Sequence, residues 1–198
     1  MNRPLTVVVC LLLAVGITVL QHFVVAQDKM VDPVSTSGSA EEPVVTDDFT
    51  LEIDRVDLST SLRATDSLGD PAEPVEANGV WVLVWTRMTA EHTTMANFPA
   101  ELRMKDGTTY FEPSWFPDAM ERATLSPGLP LYGAFVFEVP EEKIDEPSLV
   151  VTHAPGFEAR LGAQADVDLK LTDTSPSDEP ADLLPPQIRT GEDTDAPE

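Results

Sequence analysis

The sequence predicts an antiparallel β-sandwich, and three observations carry that reading. Two stretches, Val80–Trp85 and Tyr132–Val139, place β-branched and aromatic residues on both faces of an extended chain, as a strand covered on both sides requires. Asp106-Gly107, between the alternating Ala100–Lys105 and the short Thr108–Phe111, is a strong two-residue hairpin signal. Beyond the first 26 residues helical periodicity is almost absent, while seven or so short strands recur between Pro, Gly and Asp turns.

Taken in order, Met1–Pro4 is a short polar start carrying Arg3, followed by an apolar run over residues 5–26 that Gln21 and His22 interrupt. About 20 apolar residues suffice to cross a bilayer core, so residues 1–26 are expected to be a membrane-targeting segment. An uncleaved transmembrane anchor competes with a signal peptide cut after Val24-Val25-Ala26. Either one exports the rest of the chain. Arg3 against Lys29, with a long domain after the segment, favours an inside N-terminus.

Residues 27–46 hold Pro33, Pro43, several serines and Glu41-Glu42 without a period, and read as a flexible linker. From Asp48 the apolar positions Phe49, Leu51, Ile53, Val56 and Leu58 mark a half-buried strand. The step of three from Ile53 to Val56 predicts a bulge near Asp54-Arg55. Thr60–Asn78 reads as an exposed loop, and Gly79–Ala90 as a central strand.

Pro117-Asp118 can start one helical turn over Ala119–Arg122. Pro127-Gly128 has the chemistry of a tight turn, and Pro140 ends the aromatic strand. Ser148–Thr152 should return, Phe157–Leu161 should be a short strand, and the alternating Asp166–Leu171 should be the last one. Trp81, Leu83, Trp85, Phe135, Val136 and Phe137 are the expected core. Residues 173–198 are acidic and Pro-rich, with too little apolar surface to offset the entropy of ordering, and are expected to be a disordered tail.

The formal net charge of −23 on 198 residues opposes binding to nucleic acid phosphates and anionic headgroups. Cys10, the only cysteine, lies in the apolar run, so the remaining chain has no thiol for disulfides, zinc or nucleophilic catalysis. Val7-Val8-Val9 before it lacks the small residues that precede a lipoprotein cysteine.

Gly79–Val84, the Asp106-Gly107 hairpin with Tyr110, Leu125–Gly128, Gly133, Phe135–Pro140 and Leu149–Val151 form an ordered series. It resembles the telokin-like, immunoglobulin-type extracellular domain of unknown function found on bacterial lipoproteins and membrane-anchored proteins. The resemblance covers about Asp47 to Thr172. It implies an immunoglobulin-like sandwich outside the membrane and brings no catalytic residues. Trp85-Thr86-Arg87, where the family tends towards a polar Asn, and the missing lipobox depart from its pattern.

No Gly-x-Ser-x-Gly, Ser-x-x-Lys or His-Glu-x-x-His occurs, and His92 and His153, the histidines outside the apolar segment, are expected in solvent-facing loops. Asp166 and Asp168 share a strand face and are a calcium candidate, although the Asp-x-Asp-x-Asp-Gly loop is missing. A solvated face is the blander expectation. Met88, Met95 and Met104 with His92 have the softness Cu(I) accepts, yet Met88 and Met104 stand at core-compatible positions.

Tyr110, Phe111, Trp115 and Phe116 are the candidate interaction patch if exposed, and a lid over the core if not. Leu183–Arg189 is the one apolar island in the tail. The expected protein is therefore a non-catalytic, membrane-tethered module at the bacterial cell surface, with a protein partner there and no cofactor. The alternative is an exported carrier of a small ligand, copper or calcium.

Overall fold

The computed structural model describes Leu13 and residues 32–65, 71–114, 116, 118–153 and 162–189. The expected membrane segment and the Phe157–Leu161 strand therefore lie outside the described residues, apart from Leu13. Among the described residues no helix is long and apolar enough to cross a membrane. The chain divides after Asp32, and the unit from Pro33 onward carries the fold.

Among its described residues that unit has thirteen strands: β1 (Val34–Ser39), β2 (Val44–Val45), β3 (Phe49–Arg63), β4 (Val75–Ala90), β5 (Met95–Ala96), β6 (Ala100–Arg103), β7 (Thr109–Phe111), β8 (Thr124–Leu125), β9 (Leu131–Val139), β10 (Ser148–Thr152), β11 (Ala163–Asp168), β12 (Ala181–Asp182) and β13 (Gln187–Ile188). One sheet runs β1-β11-β10-β6-β7, and a six-stranded sheet runs β12-β3-β4-β9-β13 with β2 also on β3. The two face each other across one core, which makes the fold a β-sandwich. It is not wholly antiparallel, because β1 pairs with β11, and β12 with β3, in parallel.

Period-two alternation explains why β4 and β9 are apolar on both faces. Val82, Val84, Phe135 and Phe137 point between the sheets and meet Leu102, Leu149, Val151 and Val167. Trp81, Leu83, Trp85, Ala134 and Val136 point the other way, into a second cluster with Leu62, Phe116, Ala119 and Leu183. All six expected core residues are buried.

The bulge falls where the step of three placed it, with the register slipping between Ile53 and Arg55. Leu51, Ile53, Val56 and Leu58 all pack towards the inter-sheet core, and Asp54 is the extra residue. Gly128, at φ 72°, follows Pro127 in a turn closed by the Leu129 N–H on the Ser126 carbonyl at 3.2 Å. A short 3₁₀ turn spans Met120–Arg122.

Four expectations are corrected. The hairpin loop has three residues, Lys105–Gly107: the Gly107 N–H donates to the Met104 carbonyl (2.9 Å), and Gly107 takes a positive φ of 85°. The expected loop Thr60–Asn78 is shorter than that, since β3 runs on to Arg63 and β4 begins at Val75.

The supposed linker carries β1 and β2. Its order comes from main-chain pairing with β11 and β3 rather than from side-chain period. Gly38 allows this crossing, because a Cβ there would lie 2.3 Å from the Val44 side chain.

The supposed disordered tail is ordered through Arg189, with β12 on β3 and β13 on β9. Its own composition supplies little apolar surface against the entropy of ordering. The surface that holds it comes instead from the outer face of the six-stranded sheet, where Leu183 is buried.

Candidate functional site

Among the described residues, the members of the expected aromatic patch are not brought together. Phe116 is buried, edge-on to Trp81 at 5.4 Å, and so acts as a lid. Tyr110 packs against the inter-sheet core, and Phe111 stands 71% exposed on the edge strand β7. Trp115 lies outside the described residues.

The metal candidates are also dispersed into other duties. Met88, Met95 and Met104 are buried in the inter-sheet core, while His92 is exposed. Asp166 accepts from Arg103 at 3.2 Å, and that guanidinium also reaches Glu101 at 3.0 Å. Asp168 is paired with Lys170, whose hydrogen bond holds its carboxyl below the usual range. Among the described residues, no group of three His, Cys, Asp or Glu side chains is placed to hold a metal ion. His153 is not a solvent-facing histidine: it is half-buried, with Nδ1 2.8 Å from Asp48 Oδ2 and its ring against Phe98.

A polar constellation on the outer face carries no signal in the sequence beyond the bulge that builds it. An extra residue in β3 turns Asp54, Arg55 and Asp57 towards the outer face, where β4 and β9 present Trp85 and Tyr132. The two rings stack at 5.4 Å and 16°. Arg55 lies 4.6 Å from the Trp85 centroid, and Arg189 lies 4.1 Å from that of Tyr132.

Hydrogen bonds close the network. Trp85 Nε1 donates to Asp57 (2.7 Å), the Tyr132 hydroxyl donates to Asp54 (2.8 Å), and Arg55 donates to that hydroxyl (2.8 Å) and to Asp57 (3.1 Å). Burial first, then the bond to Asp54, pushes the Tyr132 hydroxyl up to about 12. At neutral pH it stays a donor. Every member already has a partner, so the cluster pins the outer face and sets a charged wall.

That wall borders an open groove of about 670 Å³. Arg55, Asp57 and Ser59 of β3 line one side, and Ser175, Ser177 and Glu179 line the other. The second side is the C-terminal segment, anchored where the Ser177 N–H donates to the Leu58 carbonyl (2.8 Å) and the Leu183 N–H to that of Arg63 (2.7 Å). The Leu183–Arg189 island, singled out in the sequence, thus docks on its own sandwich.

Glu112 is a second residue that sequence reasoning misses. It follows β7 and reaches the edge of β9, where its Oε1 accepts from the Val136 N–H at 2.7 Å.

No family model and no curated protein matches the chain. Two solved structures are similar in fold over about seven-tenths of it. An uncharacterized β-sandwich protein from Clostridium difficile 630 is 14% identical, with a TM-score of 0.43, over 70% of this chain and 97% of that one. A secreted protein from Mycobacterium tuberculosis, MPT63, is 17% identical, with a TM-score of 0.42, over 69% and 98%.

Proposed function

We propose that this protein is an exported, membrane-tethered β-sandwich of the telokin-like, immunoglobulin type, acting as a non-catalytic interaction module at the bacterial cell surface. Export and tethering are supported by the apolar run over residues 5–26 and by the long domain after it. The strongly acidic composition suits a soluble domain held away from anionic surfaces.

The observation that carries the interaction role is the outer-face groove. One wall is an outer strand edge and the other is a docked segment of the same chain, which is how a sandwich receives an extended piece of protein. Of its titratable wall residues, Arg55 and Asp57 on the β3 side are engaged with each other, and Trp85 is engaged with both. This favours a binding surface over acid–base chemistry.

A photocrosslinking amino acid at Ser175, in the full chain in intact cells, tests the reading. A discrete protein adduct in the membrane fraction is expected. No adduct from any exposed position, together with turnover of a cell-wall substrate by the purified chain, would overturn it.

A further inference from the structure

The edge of β3 is covered unevenly. β4 pairs along almost its whole length on one side. On the other side β2 covers Thr50–Leu51, Ser177 bridges at Ser59, and β12 covers Leu62–Arg63. Between Leu51 and Leu58 no described strand pairs with that side.

The direction of the free groups follows from the neighbours. The Leu58 carbonyl accepts from Ser177, and the Thr60 N–H donates to the Ser177 carbonyl at 3.0 Å, so residues 58 and 60 turn their main-chain groups away from β4. The two-residue period of a strand turns Val56 the same way. Room exists on both sides of this gap, where the 670 Å³ groove and a second of about 330 Å³ both reach Arg55 and Val56.

The walls choose the occupant by charge. Arg55 is neutralised by Asp54 and Asp57; Asp173, whose Oδ1 accepts the Ser175 N–H, and Glu179 line the groove, and neither is in an ion pair shown among the described residues. An unpaired strand edge would accept any extended chain, but the bulge and the charges at Asp54–Asp57 discourage uncharged, flat strands.

We infer that the β3 edge from Ile53 to Leu58 is a strand-addition site for an extended, Lys- or Arg-rich segment of a partner protein. Main-chain hydrogen bonds to Val56 and to the Leu58 N–H, whose carbonyl is already taken by Ser177, supply affinity, and Asp173 and Glu179 supply the preference for basic side chains. The chain's own C-terminal segment already uses this mode next door, adding to the same edge in parallel at Ser177 and at β12. The inference rests on the interaction-module reading and names the surface and the kind of partner.

The test is fluorescence anisotropy on the full chain in detergent, with labelled acetyl-Lys-Val-Lys-Val-Lys-Val-Lys-amide and the same peptide N-methylated at alternate residues. Because N-methylation removes main-chain donors, the methylated peptide should bind at least about tenfold more weakly. Asp173→Lys/Glu179→Lys should weaken the unmethylated peptide, and the peptide should slow hydrogen exchange at Val56 and Leu58. Equal affinity of the two peptides would mean charge attraction alone, and binding of neither would leave the edge closed; each overturns the inference. If either occurs while cell crosslinks form elsewhere, the site is wrong and the interaction role stands.

Discussion

Glu112→Gln should make this protein more stable at neutral pH, by an amount that grows with pH. Glu112 is only 8% exposed; its Oε1 accepts the Val136 N–H, while Oε2 is buried without a hydrogen-bond partner of good geometry. Burial above all, and then the nearby Glu121 carboxylate, pushes the Glu112 carboxyl from 4.5 up to about 8.

The sign follows from the two states. The unfolded chain releases this proton near 4.5 and the folded chain keeps it to about 8, so the folded state binds more protons between those values. The stability this carboxyl allows is fully present below about pH 4.5 and is lost as pH rises towards 8. At about 1.4 kcal/mol per pH unit, keeping the proton costs roughly 3 kcal/mol at pH 7.

Gln preserves the shape, keeps an oxygen for the Val136 N–H, puts a donor where Oε2 lies and never ionises. Denaturant unfolding of both proteins, followed by tryptophan fluorescence at pH 4.5, 7 and 8.5, measures the difference. The two should match to within about 1 kcal/mol at pH 4.5 and diverge to roughly 3 at pH 7 and more at 8.5. A gap that does not change with pH, or a variant less stable than wild type at pH 7, would refute the reasoning.

Leu183→Ala should cost roughly 2 to 5 kcal/mol, because a buried leucine is truncated beside Leu62 and Trp81; denaturant unfolding reads it. Tyr132→Phe keeps the stack on Trp85 but removes the hydroxyl shared by Asp54 and Arg55, and should cost about 1 to 2 kcal/mol in the same assay. Gly79→Ala should destabilise by about 1 to 3 kcal/mol or more, since its Cβ would stand 2.3 Å from the Val139 carbonyl oxygen; a lowered thermal midpoint checks it.

How much of the fold is legible in the sequence depends on range along the chain. The two-sided apolar strands, the bulge at Asp54 and the turn at Pro127-Gly128 are signals within a few residues, and the structure shows all three. The strand order of the sheets and the docked C-terminal segment depend on surfaces made elsewhere. Leu183 looks too isolated in sequence to order anything, because Trp81 and Leu83, whose outer faces receive it, lie about a hundred residues earlier.

The same distance hides the outer-face cluster. Asp54, Arg55 and Asp57 read as charged edge residues until β9 brings Tyr132 over Trp85. Tyr110, Phe111 and Phe116 group together as neighbours in sequence, yet the chain sends one to the inter-sheet core, one to solvent and one beneath the outer face. Glu112 gives no signal, because its burial depends on the β9 edge that its oxygen caps.

Site-resolved amide hydrogen exchange on the full chain tests most directly the claim that the acidic C-terminal segment closes one part of the β3 edge and leaves another open. The Ser177, Leu183 and Arg189 amides, bonded to Leu58, Arg63 and Pro130, should exchange slowly, and that of Val56 quickly. Exchange of Ser177, Leu183 and Arg189 at the rates of an unstructured peptide, or strong protection of Val56 in the free protein, would contradict it.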